Sequence, residues 1–131
     1  MESGLIGLSK YRLNKARTVL KDAELLYNGG SYASSVNRSY YALFHCLRSV
    51  TALDNFDSSK HSGIIAFFNR TYIKTGIFAK DISKILDKSF RTREKADYED
   101  FTDITEENAR EQLENTKYVF KIIESYVTLK W

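Results

Sequence analysis

The stretch that decides the fold is residues 32–53, YASSVNRSYYALFHCLRSVTAL. It contains no glycine or proline, and Tyr32, Val36, Tyr40, Leu43, Leu47 and Val50 recur at steps of three and four. That repeat belongs to a helix with one buried face, so the spacing predicts a helix over 32–53. Ser34, Arg38, Tyr41, His45 and Arg48 form a second row, displaced by about 200° at 100° per residue. A row nearly opposite the core stripe meets water, another helix or a second subunit. This one holds two arginines, a tyrosine and a histidine in place of the usual lysine and glutamate.

Outward from this segment, helical spacing continues in both directions, and the 131 residues include no proline. Upstream, Leu13, Ala16, Leu20, Ala23 and Tyr27 mark a helix over 9–28, closed by Gly29-Gly30. Ser31 then offers an N-cap for the helix over 32–53. Downstream, the loop DNFDSS (54–59) ends at Ser58 or Ser59, either able to cap a third helix over 60–74, which Gly76 stops. A fourth, over 79–92, runs through Ile82, Ile85, Leu86 and Phe90. REKADYEDFTD (93–103) is charged and aperiodic, which predicts an exposed connection. Thr105, followed by Glu106 and Glu107 at the positive end of the helix dipole, starts a fifth helix striped by Ala109, Leu113, Thr116, Phe120, Ile123 and Val127. The expected architecture is all-α: a single domain over 1–131, an up-and-down bundle of about five helices.

Composition narrows the function classes. Hydrophobic residues make up 43% and charged residues 28%, values of a globular chain rather than a disordered one. No apolar run approaches the roughly 18 residues of a membrane span. The N-terminus MESGLIGLSKYRLNKAR lacks a basic-then-apolar leader pattern, so a cytoplasmic protein is expected. One cysteine excludes an intrachain disulfide, and two histidines with one cysteine do not complete a usual zinc set, so neither metal nor cofactor is expected. The net charge of +3 permits an RNA or phosphate partner without requiring one.

Arg38 and His45 carry the chemistry in the polar row. Seven residues at about 1.5 Å each put their backbones about 10 Å apart, too far for contact but close enough to reach one bound group. Arginine offers a fixed charge and a donor fork suited to phosphate. Histidine titrates near neutrality and can pass a proton. Tyr41, between them, can hydrogen-bond or stack on a base. Equally, such a row can be an interface face with no chemistry.

Other positions outside the row have competing readings. Lys60 and His61 at the start of the third helix can bind phosphate through free amide donors, or His61 can pack against the second helix. Arg91, Arg93 and Lys95 can bind RNA backbone, or form a solvated stretch balanced by Glu94, Asp97, Glu99 and Asp100, the preferred reading. Those acids lack the order and glycine of a calcium loop. Cys46 lies about 100° from His45 around the helix and reads as a small buried apolar residue.

Three strings together, LLYNGGSYASSVNRSYYALFHCLRSV (25–50), SSKHSGIIAFFNRTYIKTG (58–76) and RTREKADY (91–98), resemble the HEPN superfamily, most closely its small stand-alone prokaryotic members. The resemblance implies a bundle of four to five helices that commonly dimerises. Many members cleave RNA without metal, using an arginine and a histidine separated by four to six residues, and Arg38 and His45 stand at the longest such spacing. It further implies a composite cleft built by two subunits and, in several members, a toxin restrained by a small nucleotidyltransferase. His45 would then move a proton during attack by the ribose 2′-hydroxyl while Arg38 steadies the phosphate. Asn37, Ser39, Tyr41, Arg48, Lys60 and His61 are the expected substrate-binding neighbours. Two departures stand out. Ser39 follows the arginine where a more strongly polar residue is frequent, and Leu47 occupies the position at which some toxins carry a modifiable tyrosine. A non-catalytic nucleotide-binding or adaptor domain is the alternative, and a plain dimerisation module is the third.

Overall fold

The computed structural model describes residues 3–98 and 103–131. Five helices account for most of them: α1 (Gly4–Asn28), α2 (Tyr32–Leu53), α3 (His61–Phe68), α4 (Lys80–Tyr98) and α5 (Glu106–Lys130). A π-helical turn, Asn69–Ile73, prolongs α3. No strand occurs among the described residues. The architecture is an all-α bundle, as the apolar spacing predicts.

The second helix is the hub, and more than half of its residues are buried. It packs most extensively along α1, then on α5, α4 and α3. Close approach to α1 follows from small side chains: Ala16 and Ala23 on α1, and Ser35, Ala42, Cys46 and Ser49 on α2, are all shut off from solvent. The buried hydroxyls are satisfied within the seam, Ser9 Oγ donating to the Ser49 carbonyl at 2.7 Å and Ser35 Oγ to the Ala23 carbonyl at 2.8 Å. On the other side of α2, Leu43, Leu47 and Val50 join Ile64, Phe68, Ile82, Leu86, Val119, Ile123 and Val127 in one core. Burying each such side chain fully is worth about 1.5–3 kcal/mol.

Local chemistry sets the ends. Gly30 takes a left-handed φ of +80°, letting its amide and that of Ser31 close α1 on the Tyr27 and Leu26 carbonyls. Ser31 makes no side-chain cap of α2, so that expectation is corrected: the tight glycine turn settles the junction through backbone bonds alone. The third helix begins at His61 with Lys60 at its cap position, and Ser58 Oγ accepts from the Lys60 amide at 3.2 Å. Gly63 makes room for that arrangement, because a Cβ there would meet Ser58 Oγ at 2.5 Å. Thr105 and Asn108 form a reciprocal capping box on α5.

Two boundaries move. Helix α1 starts at Gly4, capped by Ser3 Oγ on the Ile6 amide. Helix α4 does not stop at residue 92 but continues to Tyr98, so residues 93–98 are not an exposed connection. Their anchor is a buried arginine, Arg93, rather than an apolar residue, and hydrophobic periodicity cannot register it. The rest of the expected connection, up to residue 102, lies outside the described residues.

Candidate functional site on the polar face of α2

Arg38, Tyr41, His45 and Arg48 follow one another at steps of three, four and three, all half-buried on one face of α2. Each is held differently.

Arg38 Nε and Nη2 donate to Asn37 Oδ1 at 3.1 and 2.7 Å. Asn37 Nδ2 in turn donates to the two oxygens of Asp97, at 3.2 and 3.0 Å. Asp97 also faces Arg93 Nη1 at 3.5 Å. The Arg38 guanidinium lies over the Tyr41 ring, 5.3 Å from its centre. Among the described residues no carboxylate pairs directly with Arg38, so its charge is oriented yet uncompensated at contact distance.

His45 is a half-buried imidazole whose Nδ1 is enclosed without a hydrogen-bond partner among the described residues. Burial, reinforced by the positive charges of Lys15, Arg48, Arg12 and Arg38, pushes its pKa down from the ordinary 6.5 to about 4. At neutral pH the ring is therefore uncharged and able to take a proton.

Arg48 is engaged. Its Nη2 donates to both oxygens of Asp57, at 3.0 and 2.9 Å, and Arg12 Nη2 reaches the same carboxylate at 3.2 Å. Desolvation works against the Asp57 charge, but the Ser58 amide and the two arginines outweigh it and hold its pKa below the usual value. Arg12, itself nearly buried, also donates to the Arg48 carbonyl at 3.3 Å.

His61 turns toward α2. Its Nδ1 is 3.0 Å from the Tyr40 hydroxyl, and its ring centre is 4.1 Å from that of Phe44. Burial and the nearby Arg93 and Arg48 lower its pKa. Burial also keeps Tyr40 protonated, with its pKa pushed up to about 12. Lys60 stands exposed beside this cluster.

Ser39 does not belong to the face. It is fully enclosed beneath α5, its carbonyl accepting from Thr116 Oγ1 at 3.3 Å, so it cannot touch a ligand on the polar row. Asn37, on the open side, is the polar neighbour of Arg38. Cys46 is likewise sealed in the core, and burial pushes its thiol pKa up. Among the described residues no group of three or more His, Cys, Asp and Glu could hold a metal ion. No helix there is long and apolar enough to cross a membrane.

Sequence reasoning underrated Arg93. It is 7% exposed, and its guanidinium lies 4.6 Å from the centre of Tyr40 and 5.5 Å from that of Phe90. This cation-on-ring anchor ties the end of α4 to the polar face. The three-residue step back to Phe90 and the four-residue step on to Asp97 were its local signals. Asp57 and Arg12 carried none, since they meet Arg48 from distant loop and helix positions.

Fold and face define a small helical-bundle domain that displays an arginine and a histidine, seven residues apart, on its central helix. The chain belongs to the HEPN family: the HEPN domain profile matches residues 9–126. A "UPF0332 protein" of Thermotoga maritima is 34% identical over 118 residues, covering 90% of this chain and 89% of that one. "Putative toxin MJ0142" of Methanocaldococcus jannaschii is 30% identical over 97 residues, 74% of this chain and 66% of that one. "Putative toxin MJ0605" of the same organism is 33% identical over 79 residues, 60% of this chain and 59% of that one.

Proposed function

We propose that this chain is a metal-independent endoribonuclease acting as the toxin of a toxin–antitoxin or defence system, with a nucleotidyltransferase as its restraining partner. The observation that carries the reading is the pairing of an oriented arginine, which no carboxylate among the described residues contacts, with an imidazole kept neutral on the same face. The toxin names of two relatives support the setting.

In the proposed reaction His45, through Nε2, takes the proton of a ribose 2′-hydroxyl. The freed oxygen attacks the adjacent phosphorus, and the bond to the 5′-oxygen breaks. The products are a 2′,3′-cyclic phosphate and a 5′-hydroxyl, the latter accepting a proton from an imidazolium or water. Arg38 donates to the phosphoryl oxygens as charge gathers on them. Tyr41 offers a ring on which a flanking base can stack. A homodimer that joins two α2 faces would place two such pairs along one cleft in the cytoplasm.

Purified protein incubated with RNA and a chelator should produce cuts with cyclic-phosphate ends, and His45→Ala should abolish them. Undiminished cutting by that variant overturns the assignment. A second reading has its own observation: Ser39 is buried and Arg48 is neutralised by Asp57, which leaves fewer groups for catalysis than the row suggests. Saturable nucleotide binding with RNA left intact would favour that non-catalytic role.

A further inference from the structure

Between α3 and α4 lies a groove of about 590 Å³ lined by Ser62, Ile65, Asn69, Lys84, Leu86 and Phe90, among others. A second hollow shares Ala66, Asn69, Ser83 and Lys84 with it and extends the path to Arg70, Lys74 and Lys80. We propose that this path is a binding track for single-stranded RNA flanking the bond cut at Arg38 and His45. The inference rests on the nuclease reading and extends it to substrate contacts away from the scissile phosphate.

Continuity is the first argument. Ser62 directly follows His61, which packs on the buried rings of Tyr40 and Phe44 and edge-on against Tyr41 of the polar face. Phe90 lies 6.0 Å from Tyr40, ring centre to ring centre. One end of the groove therefore opens beside the candidate site. Along α4, the ten steps from Phe90 back to Lys80 span about 15 Å, room for a few nucleotides.

Charge is the second argument. Arg70, Lys74, Lys80 and Lys84 are all exposed, and none pairs with a carboxylate among the described residues. The acid on this wall, Asp87, is tied to Arg91 at 2.6 Å. Cations at the far end with an aromatic and aliphatic floor between match a chain of phosphates carrying flat bases.

The third argument is an enclosed acceptor. Asn69 Oδ1 is buried on the groove wall with no hydrogen-bond partner among the described residues. Asn69 lines both hollows, and a turn of its side chain would bring this unpaired carbonyl to the exocyclic amine of a base. Asn69 also begins the π-helical turn, a distortion common at functional positions. An acidic peptide would satisfy the lysines, but it would not account for the opening onto the arginine–histidine face.

The test compares wild type with Lys80→Glu/Lys84→Glu, two exposed positions, using fluorescence anisotropy. The probes are a twelve-nucleotide RNA made uncleavable by 2′-O-methylation and a dinucleotide of the same chemistry. The variant should bind the longer probe roughly tenfold more weakly, and its salt slope should shrink by about 1.4 for two lost phosphate contacts. Dinucleotide binding should not change. Asn69→Leu should also weaken the longer probe while leaving the melting temperature unreduced. Unchanged affinity and slope for the longer probe overturn the track. So does binding of an acidic peptide that the double variant loses while RNA binding persists, since the groove would then be a protein-docking surface. Cleavage of unmodified RNA, followed in parallel, reports on the nuclease reading by itself.

Discussion

Asp97 holds Asn37: both of its carboxylate oxygens accept from Asn37 Nδ2, at 3.2 and 3.0 Å. The contact crosses from α4 to α2 and fixes which way the amide faces. Asn37 Oδ1 is thereby turned to Arg38, where it accepts two bonds from the guanidinium. The end of α4 thus orients a charge on α2 through Asn37.

Asp97→Ala should release that orientation. With Asn37 free to rotate, the guanidinium samples more conformers, and the expected loss in kcat for RNA cleavage is about tenfold. Asp97→Asn keeps one acceptor for Asn37 and should recover part of the rate. If kcat is the same in all three proteins, the relay has no part in positioning Arg38.

Asp57 separates stability from binding. Its carboxylate is half-exposed, yet it neutralises both the nearly buried Arg12 and Arg48. Asp57→Asn should lower stability by roughly 1–2 kcal/mol, less than a fully buried pair would lose. The same change frees Arg48 and removes a negative charge near the polar row, so RNA should bind more tightly and with a steeper salt dependence. Urea unfolding and a salt-titrated binding assay read the two effects. A variant that is weaker in both would show that Arg48 serves the fold alone.

Much of this arrangement was legible in the chain because period-3.6 burial writes itself into the positions of Leu43, Leu47, Val50, Ile123 and Val127. The two α2 faces followed from the same arithmetic. What stayed hidden is polar. Arg93 looks like part of a charged connection until Tyr40 and Phe90 are seen to surround it, and the Tyr40 contact links positions about fifty residues apart. Ser39 neighbours Arg38 in sequence but points about 100° away around the helix, which puts it under α5. The capacity of Ser31 to cap was visible; the glycine turn that makes it unnecessary shows only in the backbone geometry.

The junction after α3 offers a prediction independent of catalysis. Tyr72, almost fully buried in the π-helical turn, donates its hydroxyl to the Asp54 carboxylate at the end of α2. Tyr72→Phe preserves the ring packing against Phe68 and Phe78 and deletes only that bond. A charge-assisted bond of this kind should be worth about 1–2 kcal/mol, seen as a lower urea midpoint with an unchanged slope. An altered slope would instead indicate that α3 and its turn have come loose from α2.

His45 links the candidate chemistry to stability through pH. Its folded pKa of about 4 lies below the ordinary 6.5, so between these values the unfolded chain binds a proton that the folded chain refuses. Stability must therefore fall as pH drops through this window, and the penalty is complete only below about 4. For a half-buried ring screened by solvent the penalty should be roughly 1–2 kcal/mol. His45→Asn removes it and leaves His61, whose pKa is also lowered, in place as an internal control. Relative to wild type, the variant should gain stability at pH 4.5 but not at pH 7.5 in urea unfolding. A constant difference at both pH values would mean that the imidazole is not held neutral by the fold. If His45 is the base of the proposed RNA cleavage, this pKa puts the acid limb of kcat/KM well below 6.5. Bound phosphate offsets the surrounding Lys15, Arg48, Arg12 and Arg38, so the acid limb of kcat should lie at higher pH than that of kcat/KM.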